Sequence, residues 1–390
     1  MLAKNIYTKI LYIAYFFFSW GIGFTVYSNS KVIETISGSQ SGIGIVYGVS
    51  AALSLILSTW VTPHLITFLG NRKTVALAII LGLLSLIGIS YTDNILMVAI
   101  SFILFFASQI LISFSFDVFF EHNTLNKNEA RARGLVISLQ HIGRMLGPML
   151  AAIITIKSGL QAPYKITFIL FLITGVFLYL ATIKFKDKSY VPVSFLRSLK
   201  IIIKRPNVWK PLTSVLLLHV FYALMVAFVP IYLSDVQGIP DKSLGILFTI
   251  MLIPFVVLGY PIGKKLDTGV SGRRAAQYGL IIMTIATFVF PLMHTKSLIV
   301  WGIILVVSRI GAIILETAGE GIFFRSIKEE ETELLGIMRD MQPVGYFIAS
   351  LVAVVTLSIG SIEHIFYAIG VILTIGIIMT YKRKLYDENK

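Results

Sequence analysis

The stretch Leu298 to Glu320, LIVWGIILVVSRIGAIILETAGE, is apolar enough to cross a bilayer yet carries Arg309, Glu316 and Glu320. At 100° per residue these three positions fall within about 40° of one another, so the charges share one helix face. An ionisable group at the bilayer centre costs roughly 2.5 to 3.5 kcal/mol even on the lenient insertion scale, so that face is expected to meet protein or water and not lipid. Charge placed this way marks a candidate functional site.

Outward from that stretch, the whole chain reads as membrane protein. Of 390 residues, 56% are hydrophobic and 13% charged, where a soluble domain carries about 25% charged residues. The mean hydropathy of +0.87 agrees. With no Cys, the chain excludes a disulfide framework, thiol catalysis and Cys-ligated metal. The net charge of +14 sits largely in short loops between apolar runs, which fits membrane topology and not nucleic-acid binding. Asn29, Ser30 and Lys31 follow the first run without a small-x-small cleavage pattern, so that run is expected to be a first span and not a signal peptide.

Twelve apolar runs are each long enough to cross about 30 Å of hydrocarbon. They lie near 9–29, 42–64, 74–92, 95–117, 133–156, 164–183, 211–234, 243–263, 275–293, 298–320, 335–358 and 362–381. Of the 33 Lys and Arg, 25 fall on the side of the two termini and 5 on the other, so both termini are expected in the cytoplasm. The expected fold is an all-α membrane protein with two pseudo-symmetric six-helix bundles, residues 1–183 and 211–390, joined by a cytoplasmic linker at 184–210. In the linker, Phe195, Leu196, Leu199, Ile202 and Ile203 recur at helical spacing among cations. That pattern reads as an amphipathic helix on the anionic leaflet, or as a solvated tether.

The halves repeat in order. Gly44-Ile45-Val46-Tyr47 matches Gly245-Ile246-Leu247-Phe248, Val118-Phe119-Phe120 matches Ile322-Phe323-Phe324, and Gln140-His141-Ile142-Gly143 matches Gln342-Pro343-Val344-Gly345, at offsets of 201 to 204 residues. Gly263-Lys264-Lys265-Leu266-Asp267, followed by Gly272-Arg273-Arg274, is similar to the loop signature of the major facilitator superfamily, with two extra residues before the second glycine. In the first-half copy Pro63, Thr67 and Phe68 replace the usual glycine, acid and base, leaving Gly70, Arg72 and Lys73. Gly143-Arg144-Met145-Leu146-Gly147-Pro148 resembles the span-five signature of proton-coupled drug exporters, with Ala151-Ala152 in place of its final glycines. The small residues predict close helix contact, and Pro148 predicts a kink.

The resemblance implies a secondary active transporter that works by alternating access around a midplane cavity. Asp117 and Glu121 end span four as Glu316 and Glu320 end span ten, each pair on one face. Two readings stand for Asp117, Glu121 and Glu320. They hold and release protons, or they close a cytoplasmic gate, Asp117 and Glu121 with Arg72, Lys73, Arg131 and Arg133 and Glu320 with Arg325, Arg339, Arg273 and Arg274, helped by the latch residues Gly263, Asp267 and Gly272. Arg309, Glu316, Arg144, His141 and Gln109 are the candidates for substrate or proton coupling. The alternatives are a structural Arg309–Glu316 ion pair and a merely packed His141. Trp20, Tyr27 and Tyr222 line the cavity or simply pack.

The leading expectation is proton-coupled efflux of a small amphipathic compound. Uptake of an organic anion, or a non-transporting sensor, is the alternative. No HExxH site or complete phosphate loop is present, and the six histidines are scattered, so neither an enzyme nor a metal or cofactor is expected. Protons, a small-molecule substrate and the lipid bilayer are the expected partners, and nucleic acid is not. The expected setting is a bacterial cell membrane, with the protein as a monomer.

Overall fold

The computed structural model describes residues 2–123, 129–185, 195–327 and 332–381. Among these residues the chain is helical throughout: α1 (Leu2–Thr25), α2 (Asn29–Ser37), α3 (Gln40–Ile56), α4 (Thr62–Leu69), α5 (Asn71–Tyr91), α6 (Ile95–Asn123), α7 (Glu129–Ser158), α8 (Ala162–Thr182), α9 (Phe195–Ile203), α10 (Pro206–Ile231), α11 (Asp241–Ile250), α12 (Ile253–Asp267), α13 (Gly272–Val289), α14 (Leu298–Ser326), α15 (Thr332–Ile359) and α16 (Glu363–Tyr381). Ten stretches are long and apolar enough to cross a membrane, α1 with α2 forms a bent eleventh, and the shorter apolar α16 completes the expected twelve.

Three of the broken spans carry a proline at the break. A π-helical turn at Leu57–Val61 precedes Pro63 at the start of α4, and another at Tyr232–Val236 follows Pro230. Span eight divides at Met251–Leu252, just before Pro254 at the start of α12. Proline lacks an N–H and crowds the carbonyl four residues back, so the regular ladder cannot run through it undisturbed. The first span ends at Thr25, earlier than its hydropathy suggests, and α2 leaves it at 41°.

Many hydroxyl groups inside the spans bond back to their own helix. Ser85 donates to Leu81 O at 2.7 Å, Thr174 to Leu170 O at 2.8 Å and Thr284 to Leu280 O at 2.8 Å. Hydrocarbon offers no other acceptor, so these back-bonds remove a cost of several kcal/mol per group. Ser39 caps α3 by accepting from Gly42 N at 3.1 Å, and Asn94 caps α6 by accepting from Leu96 N and Met97 N, both at 3.1 Å.

The chain forms two compact units, residues 1–192 with 239–249, and residues 193–238 with 250–390. The segment 239–249, which the linear reading gives to the second bundle, packs with the first: Lys31 Nζ meets Asp241 Oδ1 at 2.6 Å, and Tyr27 stacks on Phe248 at 4.5 Å. Within the units the same helix pairs recur. α1 packs on α7 and α8, as α10 packs on α15 and α16. α5 packs on α6 and α8, as α13 packs on α14 and α16. The internal repeat read from sequence is therefore a repeat of packing.

The linker helix forms as α9, with the side chains of Phe195 and Leu196 outside the described residues, and Ile202 on it is not left to lipid. Ile202 is buried against Val208, Leu212, Val215, Phe323, Leu334 and Ile337, while Ile203 is 65% exposed. The reason is reach: Pro206 starts α10 three residues after α9 ends, so α9 folds back onto the end of its own unit.

Candidate functional site

In α14, lipid and protein faces separate as the charge stripe requires. Ile299, Ile303 and Val307 are exposed, Arg309 is 2% exposed, and Glu316 and Glu320 are half-buried. The guanidinium of Arg309 lies over two rings of α10, with Cζ 5.4 Å from the Phe221 centroid and 5.8 Å from that of Tyr222. Desolvated cation–π contacts of this kind are worth up to about 2 kcal/mol each, which offsets only part of the cost of burying the cation. Arg309 Nη1 is buried with no hydrogen-bond partner. Tyr222 joins the cation to an acid, because its hydroxyl donates to Glu316 Oε2 at 2.9 Å. Phe255 of α12 and His219 of α10 set edge-on against Tyr222, with centroids at 6.1 and 6.2 Å.

The backbone around this cluster is held by glycines. A Cβ on Gly311 would stand 2.8 Å from Gly279 O, and one on Gly279 would stand 2.7 Å from Gly311 O, so α13 and α14 touch main chain to main chain. A Cβ on Gly345 would stand 2.6 Å from His219 Cβ, which brings α15 equally close to α10.

Unit 1 has its own arginine site. With the Gln140 amide turned to the orientation that satisfies both neighbours, Arg144 Nη1 and Nη2 donate to its carbonyl oxygen at 3.1 and 2.9 Å and its NH2 donates to Tyr15 Oη at 3.0 Å. Arg144 Nε is buried without a partner. The neighbouring glycines make the helix contact. A Cβ on Gly143 would stand 3.0 Å from Phe16 O and Trp20 N, one on Gly23 would stand 2.7 Å from Arg144 O, and one on Gly147 would collide with Gly23. α7 runs through the buried Pro148 as a single helix. His141 and Gln109 are half-buried on α7 and α6.

Residues 11–338 match the family described as Major Facilitator Superfamily. The chain belongs to that superfamily. The crystal structure of a mutant of the nucleoside transporter NupG is similar in fold, with a TM-score of 0.76, 12% identity, and coverage of 96% of this chain and 100% of that one. No curated protein matches the chain in sequence. This major facilitator is thus a multi-pass membrane transporter of small solutes, with a fold shared by proteins of very different sequence.

The remaining candidates separate by place. Asp117 is half-buried on α6, and Glu121 lies near the end of that helix with its side chain outside the described residues. Asp267 Oδ1 faces Arg325 Nη1 at 3.8 Å with both side chains largely exposed, a pairing worth little in water. The two extra residues of this loop are accommodated by Gly269, whose φ of +108° is closed to most side chains. A Cβ on Gly272 would stand 2.9 Å from Ile322 Cγ1, so the loop signature seats α13 on the end of α14, while Gly263 is looser, 3.9 Å from Thr317 Cγ2. Arg273 is half-buried and Arg274 exposed. Arg339 is half-buried beside the buried Asp340. Trp20 packs with Phe16, Phe17 and Phe24. Tyr15, Phe221, His219 and Asp340 were not among the candidates; His219 and Asp340, ionisable groups inside spans seven and eleven, carried a signal of their own, whereas Tyr15 and Phe221 did not.

Proposed function

We propose that this transporter is a proton-coupled secondary carrier of a small amphipathic solute, working by alternating access, with Arg309, Tyr222 and Glu316 as its substrate and proton site. The observation that carries this reading is the buried Arg309, with Nη1 unpartnered, beside a tyrosine that donates to a half-buried carboxylate. A cation held without full compensation is poised for a ligand's polar group, the rings of Phe221, Tyr222 and Phe255 suit an apolar body, and Glu316 is an acid able to exchange a proton. Asp117, Glu121, Glu320, Arg339 and the Asp267–Arg325 loop serve as gate groups in this scheme. The span-five signature supports export. Uptake of an organic anion is the second reading, favoured by the same unpartnered Nη1, because a guanidinium takes a carboxylate through two parallel hydrogen bonds.

A thermal-shift screen of the purified protein against amphipathic cations, neutral metabolites and organic anions at two pH values tests the site, since a ligand of the folded state raises apparent stability. Hits abolished by Arg309→Met and altered by Glu316→Gln support it. Hits indifferent to both substitutions place the ligand elsewhere.

A further inference from the structure

Residues 239–249 leave unit 2 and return to it along the chain, yet pack in unit 1. The backbone turns at both ends of this excursion. Gly238, with a φ of +65°, precedes Ile239-Pro240, and the span breaks at Met251–Leu252 before Pro254. Between the turns, Asp241, Leu244, Gly245 and Phe248 follow the i, i+3, i+4, i+7 spacing of a single helix face. That face is held to unit 1 at three points. Asp241 Oδ1 meets Lys31 Nζ at 2.6 Å, Phe248 stacks on Tyr27 with centroids 4.5 Å apart, and a Cβ on Gly245 would stand 2.5 Å from Ala152 Cβ and 3.0 Å from Pro148 O of α7. The hold is of a kind that comes apart easily. Lys31 and Asp241 keep 32 and 40% of their side chains exposed, so water takes over both charges when they separate. Gly245 offers α7 no side chain to interlock with. At the end of α11, Thr249 Oγ1 is buried with no hydrogen-bond partner, a cost that hydration on release removes.

We propose that α11 is a releasable strap on unit 1, turning on Gly238 and on the break at Met251–Leu252, with Lys31–Asp241 as its catch. Span eight then does not move as one rigid rod. Its first part, α11, is gripped and let go by unit 1, while α12 stays packed on α14 of unit 2. Release uncovers the stretch of α7 around Pro148 and Ala152 on which Gly245 rests. In an alternating-access carrier such release is a step between access states, so the strap's role in transport rests on that reading. The strap itself does not, and neither needs the Arg309 site.

Thiol labelling of the purified full chain tests the strap with neither solute nor proton gradient, so its outcome is separate from that of the Arg309 site. The chain has no Cys, and Leu244→Cys, on the held face at a position 5% exposed, supplies a sole thiol. With N-ethylmaleimide under native conditions, Lys31→Gln is expected to raise its labelling rate about fivefold, and the exchanged pair Lys31→Asp/Asp241→Lys to return the rate to that of the parent. Gly245→Ala, which pushes α11 off α7 without touching the charges, is expected to raise the rate as well and stands in should the charge variants fail to fold. A separate sole thiol, Ala286→Cys, buried in α13, reports on global opening and is expected to stay slow throughout. A Leu244→Cys rate indifferent to both Lys31→Gln and Gly245→Ala, or a Lys31→Gln rise that the exchanged pair does not reverse, overturns the proposal. An equal rise at Ala286→Cys also overturns it, since the contacts would then hold the whole fold and not a strap.

Discussion

Arg309 sits where stability and function pull apart. A buried guanidinium with one unpartnered nitrogen is kept at the expense of folding free energy, so replacing it with an apolar side chain of similar length should not harm the fold. Arg309→Met is expected to leave stability within about 1 kcal/mol of the parent, or to raise it, while ligand affinity falls at least about tenfold. Thermal denaturation and ligand titration on the same preparation check both halves, and a strongly destabilised Arg309→Met protein would make this arginine structural. Tyr222→Phe removes only the hydroxyl that donates to Glu316. It is expected to keep the fold and weaken ligand binding by about tenfold, and unchanged binding would take Tyr222 out of the site. Sequence alone identified Arg309, Glu316 and Tyr222 separately. What joins them is the rotation of α10 against α14, which hydropathy does not encode, and Phe221 was invisible because a phenylalanine in an apolar span carries no distinguishing signal.

Among the elements, α7 and α9 give the clearest tests. Gly147 and Gly23 meet main chain to main chain, so Gly147→Val cannot be relieved by a rotamer change. A loss of about 3 kcal/mol or more is expected, read as lower thermal stability; a neutral outcome would mean that α1 and α7 are not in direct contact. The exporter-like signature in span five was legible as a motif, and its glycines act as the small-residue seam that motif implied. α9 was legible as an amphipathic helix, but its partner was not, because periodicity shows an apolar face without saying whether protein or lipid covers it. Ile202→Ala is expected to cost about 2 to 4 kcal/mol and Ile203→Ala close to nothing, since the first is 3% and the second 65% exposed. The reverse order would return α9 to the membrane surface. The breaks in spans two, seven and eight follow prolines visible in the sequence, although the π-turn geometry at Leu57–Val61 and Tyr232–Val236 is set by the surrounding helices.

For the whole molecule, twelve spans and their repeat were readable because the bilayer imposes a length on every crossing element and an internal structural repeat leaves matching residues at a nearly fixed offset. The association of residues 239–249 with the first unit was not readable, since chain order suggests the opposite and only tertiary contact reveals it. Transport by a major facilitator follows from family and fold; coupling to protons through Glu316 is the claim that needs direct measurement. Purified protein in proteoliposomes holding a pH-sensitive dye, under an imposed proton gradient, provides it once a transported solute is in hand. On this account, adding the solute is expected to move protons, and Glu316→Gln to abolish this movement while solute exchange persists with altered affinity. Solute transport without proton movement in the parent, or proton movement undiminished in Glu316→Gln, would contradict it.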